Sequence, residues 1–196
     1  MGFYQKRILP HLLQMSMKQE HFEPYRRRAV GAARGRILEI GVGSGLNLPL
    51  YQASTTVVGL DPSAQLLSMA REATTDRAQT IQLIEGSVES IPLPDHEFDT
   101  VVTTWTMCSI PDLPKALAEV RRVLKEDGRL VFAEHGRAPE PKVVRWQNAL
   151  TPVWKRIGGG CHLNRPIDAI IASNGFRIAA LRTGYMKGHK PMTFMF

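Results

Sequence analysis

The sequence predicts an α/β protein with a doubly wound, mostly parallel sheet, and three observations carry that prediction. The apolar run Ile37, Leu38 and Ile40 meets three alternating glycines, Gly41, Gly43 and Gly45. Such a run closed by glycine reads as a buried strand entering a tight turn, because glycine accepts positive φ and lets backbone approach a ligand. A second apolar run, Thr56 to Leu60, is closed by Asp61, 20 residues beyond Gly41. Nucleotide-binding folds place a ribose-binding carboxylate at that point. Finally, short apolar runs alternate with amphipathic helical stretches along the chain, as βαβ units do.

The totals fit one domain. At 196 residues, 43% hydrophobic and 22% charged, the chain is long enough to bury a sizeable core. No apolar run approaches a membrane span, and Met1-Gly2-Phe3-Tyr4-Gln5-Lys6 leads into no signal-peptide core, so a cytoplasmic protein is expected. Two cysteines, Cys108 and Cys161, stand too far apart for a zinc motif. Free thiols and no metal are expected in a reducing compartment. The net charge of +7 invites acidic partners. Its clusters, Arg26, Arg27, Arg28, Arg34 and Arg36, then Lys142, Arg145, Lys155, Arg156 and Arg165, read first as solvated faces.

In chain order, residues 1–34 are expected to form N-terminal helices that cap a substrate site, and residues 35–196 the main domain. Residues 5 to 20 carry Ile8, Leu9, Leu12, Leu13, Met15 and Met17 among Lys6, Arg7 and Lys18, with Pro10 interrupting. This amphipathic stretch either folds over the pocket or touches a membrane surface peripherally. A second helix runs from Pro24 to Ala33. After the glycines a helix is expected from about Ser44 to Gln52, its free N–H groups aimed at the ligand. Asp61 has a competing reading, as the cap of a helix over Ala64 to Glu72 behind Asp61-Pro62-Ser63. Strands follow at Thr80 to Ile84 and Phe98 to Thr103. A helix over Pro111 to Lys125 ends at Glu126-Asp127-Gly128, and Arg129 to Ala133 is the fifth strand. A helix from Pro166 to Asn174 is closed by Gly175. Phe176 to Leu181 and Met192 to Phe196 then form a closing antiparallel pair.

The glycine spacing decides between ligands. A dinucleotide fingerprint needs G-x-G-x-x-G, and Leu46 stands where its third glycine belongs. The string Glu39-x-Gly41-x-Gly43-x-Gly45 resembles motif I of the class I S-adenosyl-L-methionine (SAM) dependent methyltransferases. Two further stretches are similar to that family: Gly86-Ser87-Val88-Glu89 through Phe98-Asp99-Thr100-Val101, and Ala118 through Val131. The resemblance covers residues 36 to 134. It implies a Rossmann-like fold with a seven-stranded sheet of order 3-2-1-4-5-7-6, the last strand antiparallel. It also implies SAM as cofactor, with S-adenosyl-L-homocysteine as product. The residues it marks for the cofactor are Glu39 toward the ammonium group, Gly41, Gly43 and Gly45 under the methionine part, Asp61 and Pro62 at the ribose, and Ser87, Val88, Glu89 and Thr104. Ser87 replaces the acid the family often has beside adenine, so its hydroxyl or the Val88 N–H takes that place, and Glu89 is expected to stabilise the loop. The strand-four outlet, Thr104 to Ile110, carries neither the Asn/Asp-Pro-Pro-Tyr string of base-modifying relatives nor a Pro-Cys nucleophile. Nucleic acid is therefore not expected as substrate or partner, and Cys108 reads as a buried thiol.

Met107-Cys108-Ser109-Ile110, Glu134-His135 and Trp154 through Arg165 resemble the alkyl thiol methyltransferase subfamily and bacterial proteins labelled phospholipid or quinone methyltransferases. That resemblance implies a small lipophilic acceptor, first a thiol, second a phospholipid or quinone taking the methyl on N or O. A module that merely binds lipid or RNA is the non-enzymatic alternative. A thiol of pKa near 8.5 is already a few per cent thiolate at neutral pH, so little catalytic help is needed. His135 is the candidate base or substrate positioner, or else a structural histidine on a loop carbonyl. His162 is the second candidate, or else packs its loop. Gly158-Gly159-Gly160 reads as a lid hinge or a turn, and Trp105, Trp146 and Trp154 as pocket wall or core.

Overall fold

The computed structural model describes residues 9–74 and 80–196. Strand β1 (Ile37–Ile40) is buried at every position. It lies between β2 (Thr56–Asp61) and β4 (Phe98–Thr104), both parallel to it. Strand β3 (Thr80–Glu85) adds outside β2 and β5 (Leu124–Ala133) outside β4, so the sheet reads β3-β2-β1-β4-β5. A strand covered on both faces needs apolar side chains throughout, which explains the unbroken run at Ile37 and Leu38. One sheet face packs Leu38, Ile40, Val58, Leu60 and Val101 against Val120 and Val123 of α4 (Leu113–Val123). The other packs Ile37, Val57 and Val102 against Leu67 and Ala70 of α3 (Ala64–Glu72) and Val30 of α2 (Glu23–Gly31). Strand order reverses between β1 and β4, and open α/β sheets bind ligands in the crevice at such a reversal, beyond the carboxyl ends of the strands.

The sheet has five strands, not the expected seven. Phe176 to Leu181 pairs with no strand among the described residues. Phe176 and Ile178 instead bury themselves against the α4 side of the sheet, which gives that alternating pattern its apolar contact without a ladder. The antiparallel pair is β6 (Gly184–Tyr185) with β7 (Phe194–Met195), after a short helix α7 (Lys190–Thr193) has used up the start of Met192 to Phe196. Its place agrees with the expected order. Glu134 and Phe196 exchange N–H···O bonds of 3.2 and 2.8 Å, and His135 bridges Met195, just past the end of β5.

Three boundaries move for local reasons. No α-helix follows the glycines, only a 3-10 turn at Leu48–Leu50. A helix from Ser44 would place Pro49 in its interior, against the Gly45 carbonyl, where proline both clashes and lacks a donor. Pro10 does not interrupt α1 (Leu9–Met17) because it falls in the first turn, where no N–H is needed. Residues 5 to 8 of that expected helix lie outside the described residues. Strand β5 begins at Leu124, and residues 125–128 loop out opposite Asp99, where Lys125 Nζ sits 2.7 Å from Asp99 Oδ1. The sequence reading assigned no element to α5 (Pro141–Ile157); α6 (Ile167–Ser173) follows it. Among the described residues no helix is long and apolar enough to cross a membrane.

Candidate active site

A cleft of about 1010 Å³ opens at the carboxyl ends of β1, β2, β3 and β4. Its floor is the turn after β1. Gly41 and Gly43 adopt φ of +66° and +56°, a region that only glycine enters at little cost. At Gly41 a Cβ would lie 2.2 Å from Thr106 Oγ1, so the residue is also required by close approach. At Gly43 a Cβ would meet nothing nearer than 3.9 Å, so the space above the turn is open. Gly45 does not line the cleft. A Cβ there would meet Leu48 Cδ1 at 2.9 Å and Ala70 at 3.1 Å, which makes Gly45 a packing residue between the turn and α3.

Asp61 ends β2 and joins the turn to the next helix. Its Oδ2 accepts the Gly43 N–H at 3.0 Å and its Oδ1 accepts the Ser63 N–H at 2.8 Å. The helix cap is Ser63, whose Oγ accepts from Leu66 N, so the competing reading of Asp61 as that cap is corrected. Burial raises the Asp61 pKa, and the two N–H donors oppose the rise. Each oxygen keeps a lone pair for a ligand. Pro62 lines the cleft beside it.

Glu39 is 2% exposed and belongs to a network the sequence did not reveal. Its Oε1 accepts from Asn47 Nδ2 (2.9 Å) and its Oε2 from the Tyr51 hydroxyl (2.8 Å). Asn47 in turn bonds Thr104 Oγ1 (3.0 Å) and accepts from Arg26 Nη1 (2.9 Å). Burial pushes the Glu39 carboxyl up to about 7, against the opposing Tyr51 and Asn47 hydrogen bonds and the Arg26 charge, while Asp61 adds a smaller upward push. A carboxyl raised from an unfolded value near 4.5 binds more protons when folded. Stability then falls as pH rises from about 4.5 to 7 and is flat above. Glu39→Gln should therefore flatten the pH dependence of thermal unfolding over that range, measured without ligand. An unchanged slope would show that Glu39 is ionised throughout.

The third wall is the loop after β3. Ser87 Oγ accepts the Glu89 N–H (3.2 Å), and Glu89 Oε1 accepts the Asp112 N–H (2.6 Å). Glu89 thus ties two loops together, as the sequence suggested, and Ser87 and Val88 line the cleft. The fourth wall is Trp105, held at φ +51°, a costly conformation for a bulky residue. The Arg26 guanidinium lies 5.1 Å over its ring, Phe22 packs edge-on at 4.9 Å and Tyr25 at 6.3 Å. Its Nε1 is buried without a hydrogen-bond partner among the described residues. Helix α1 supplies Pro10, Gln14 and Met17 to the same cleft.

Neither histidine lies on the cleft wall. His135 is buried, its Nε2 3.0 Å from Cys161 Sγ, behind the wall segment Ser109 to Pro111. His162 Nδ1 lies 3.0 Å from the Cys108 carbonyl, the loop-packing alternative, and burial lowers its pKa. Neither is placed to take a proton from an acceptor in the cleft. Trp146 is exposed and Trp154 bonds Cys161 Sγ at 3.3 Å, so of the three tryptophans Trp105 alone lines the cleft. Gly159 and Gly160 have φ of +65° and +89°, and Gly158 and Gly159 close the cleft on that side. Both cysteines are free and buried.

Residues 38–132 match the family described as methyltransferase domain. The chain is 34% identical over 138 residues to a phosphatidylethanolamine N-methyltransferase of Cereibacter sphaeroides, covering 65% of this chain and 68% of that one. It is 36% identical over 133 residues to the rat thiol S-methyltransferase TMT1B, covering 66% of this chain and 54% of that one. The chain thus spans about half the length of the rat relative. A SAM-dependent methyltransferase structure from Aquifex aeolicus superposes with a TM-score of 0.65 at 17% identity, over 95% of this chain and 94% of that one, and shares the fold. The sequence relatives, and the cleft at the strand reversal, settle the class: the chain belongs to the SAM-dependent methyltransferases, enzymes whose cofactor is S-adenosyl-L-methionine.

Proposed function

We propose that the chain methylates a small lipophilic thiol, with the sulfur as acceptor atom. The observation that carries this reading is the chemistry of the cleft wall. Its titratable members among the described residues are Arg26, Glu39, Asp61, Glu85 and Glu89. Glu39 and Asp61 are engaged at the glycine turn, Glu85 ends β3, and Glu89 bonds Asp112 N. Among the described residues no histidine, lysine, cysteine or tyrosine lines the cleft. An acceptor there must lose its proton unaided, and a thiol does so in part near neutral pH, whereas an alkylammonium or a phenol holds its proton to about pH 10. The similarity to the rat thiol S-methyltransferase supports the same acceptor.

The residues fit the cofactor. A turn with φ +56° at Gly43 and open space above it admits a ligand against backbone, and Asp61 beside it has lone pairs for two ribose hydroxyls. Ser87 and the Val88 N–H are assigned to adenine, Gly41 and Gly43 to the methionine part, and Thr104 and Glu39, through Asn47, to the shape of the turn below it. SAM supplies an electrophilic methyl group on a sulfonium. The chain's part is to orient the acceptor in line and exclude water. Residues 9–17, whose Pro10, Gln14 and Met17 reach the cleft, act as the cap. The outward Leu12 and Met15, 47% and 73% exposed, suit acceptors drawn from a lipid surface.

With labelled SAM and alkylthiols of increasing chain length, mass spectrometry should find the methyl thioether. The kcat/KM should rise about tenfold per pH unit below the thiol pKa, because only the thiolate reacts. Transfer to phosphatidylethanolamine vesicles in preference to every thiol would favour the second reading, a phospholipid amine acceptor, which the Cereibacter relative supports.

A further inference from the structure

The fold gathers Cys108, His135 and Cys161 from three separate segments. Cys108 follows β4, His135 follows β5, and Cys161 lies in the loop after α5. Their ligand atoms, two Sγ and a ring nitrogen, all fall within 4.8 Å of one another, and all three residues are buried. The sequence spacing that argued against a metal motif is removed by folding. We propose that these three side chains bind one thiophilic d10 cation, Zn²⁺ or Cu⁺, behind the far wall of the cleft.

The donor chemistry selects that class. Two thiolates and an imidazole suit zinc and monovalent copper and reject hard cations such as Mg²⁺ and Ca²⁺. Around a zinc ion with bonds of about 2.3 Å to sulfur and 2.0 Å to nitrogen, neighbouring ligand atoms stand about 3.5 to 3.8 Å apart. The Cys161 Sγ to His135 Nε2 separation of 3.0 Å must then open by about half an ångström. Trp154 Nε1 already donates to Cys161 Sγ at 3.3 Å, the outer hydrogen bond a metal-bound thiolate wants. A second, independent observation lies next to His135. Glu134 is fully buried, and its Oε2 has no hydrogen-bond partner among the described residues. Buried polar atoms that the protein leaves unpaired commonly pair with a bound ion or water.

Binding is balanced by protons. Each thiol gives up one as its sulfur–metal bond forms, and the imidazole binds through its unprotonated nitrogen. Three protein ligands leave one position for water on Zn²⁺ or complete a trigonal Cu⁺ site. The site would clamp the outlets of β4 and β5 to the loop after α5, and so fix the cleft residues Ser109 and Gly159 that flank it in sequence. This inference does not depend on the identity of the acceptor.

The test uses the full chain, stripped of metal under reducing conditions. It is incubated with Zn²⁺ in one arm and Cu⁺ in the other, gel-filtered, and read for metal per chain. One equivalent of either ion should be retained, and Tm should rise with its concentration. In the double variant Cys108→Ser with Cys161→Ser, affinity should fall at least tenfold and the Tm rise should vanish. Should that variant fail to fold, Co²⁺ loading of the unaltered chain should give thiolate-to-metal charge-transfer absorption in the near ultraviolet. No retained metal in either arm, equal retention by the double variant, or recovery of Cys108 and Cys161 as a metal-free disulfide would each overturn the proposal.

Discussion

Gly43→Val should lower SAM affinity by more than a hundredfold while the protein stays folded. The residue sits at φ +56°, and a Cβ there meets no neighbour within 3.9 Å. Packing therefore does not forbid the substitution; backbone conformation does. A β-branched residue held in the left-handed region costs about 2 kcal/mol or more, so the turn will rotate away from it. The Gly43 N–H then leaves Asp61 Oδ2, and the new side chain projects into the space the cofactor needs. For a chain of 196 residues, a cost of about 2 kcal/mol lowers Tm by roughly 4 to 8 °C. Calorimetric titration with SAM, beside a melting curve, separates the two effects. Affinity within a fewfold of the parent would mean that the cofactor does not lie over this turn.

Asp61→Asn should cost about 10- to 100-fold in SAM affinity, and Asp61→Ala more. A carboxylate bond to a hydroxyl is charge-assisted and contributes about 1.5 to 3 kcal/mol. The amide oxygen can still accept one of the Gly43 and Ser63 N–H groups, which the carboxylate now takes on separate oxygens, while the amide NH2 faces the other. Alanine releases both, so the turn loosens as the ribose contact disappears. Helix α3 keeps its cap through Ser63, so both variants should fold. Equal affinity in parent and Asp61→Asn would assign the ribose to another residue.

What the sequence made legible follows from how local each signal is. The glycine turn, Asp61 and the strands through β4 are written in short stretches whose residues are also neighbours in space, and the structure places them together. The buried network around Glu39 was not legible. Arg26, Asn47 and Tyr51 come from α2, the turn and its flank, and none carries a motif. An acid in the middle of a buried strand, with an asparagine and a tyrosine shortly after, was the available signal: such a group needs partners. The cysteine and histidine cluster was illegible because it forms only when three strand or helix outlets meet. Helix α5 was missed because its pattern runs in reverse. Trp146, Leu150, Val153 and Ile157 are exposed while Gln147 and Thr151 are buried, Gln147 bonding the Ala138 N–H and the Gly136 carbonyl. Periodicity that assumes apolar residues face inward misreads such a helix. The strand expected over Phe176 to Leu181 failed for another reason: alternation marks a half-buried segment, not a hydrogen-bonded one.

The most direct test is a crystal structure with S-adenosyl-L-homocysteine bound. The account predicts the ribose hydroxyls on Asp61, the amino-acid end over Gly41 and Gly43, the adenine beside Ser87 and Val88, and the sulfur turned toward Trp105 and Ser109. A nucleoside bound elsewhere, or in this cleft with its sugar away from Asp61, would contradict it.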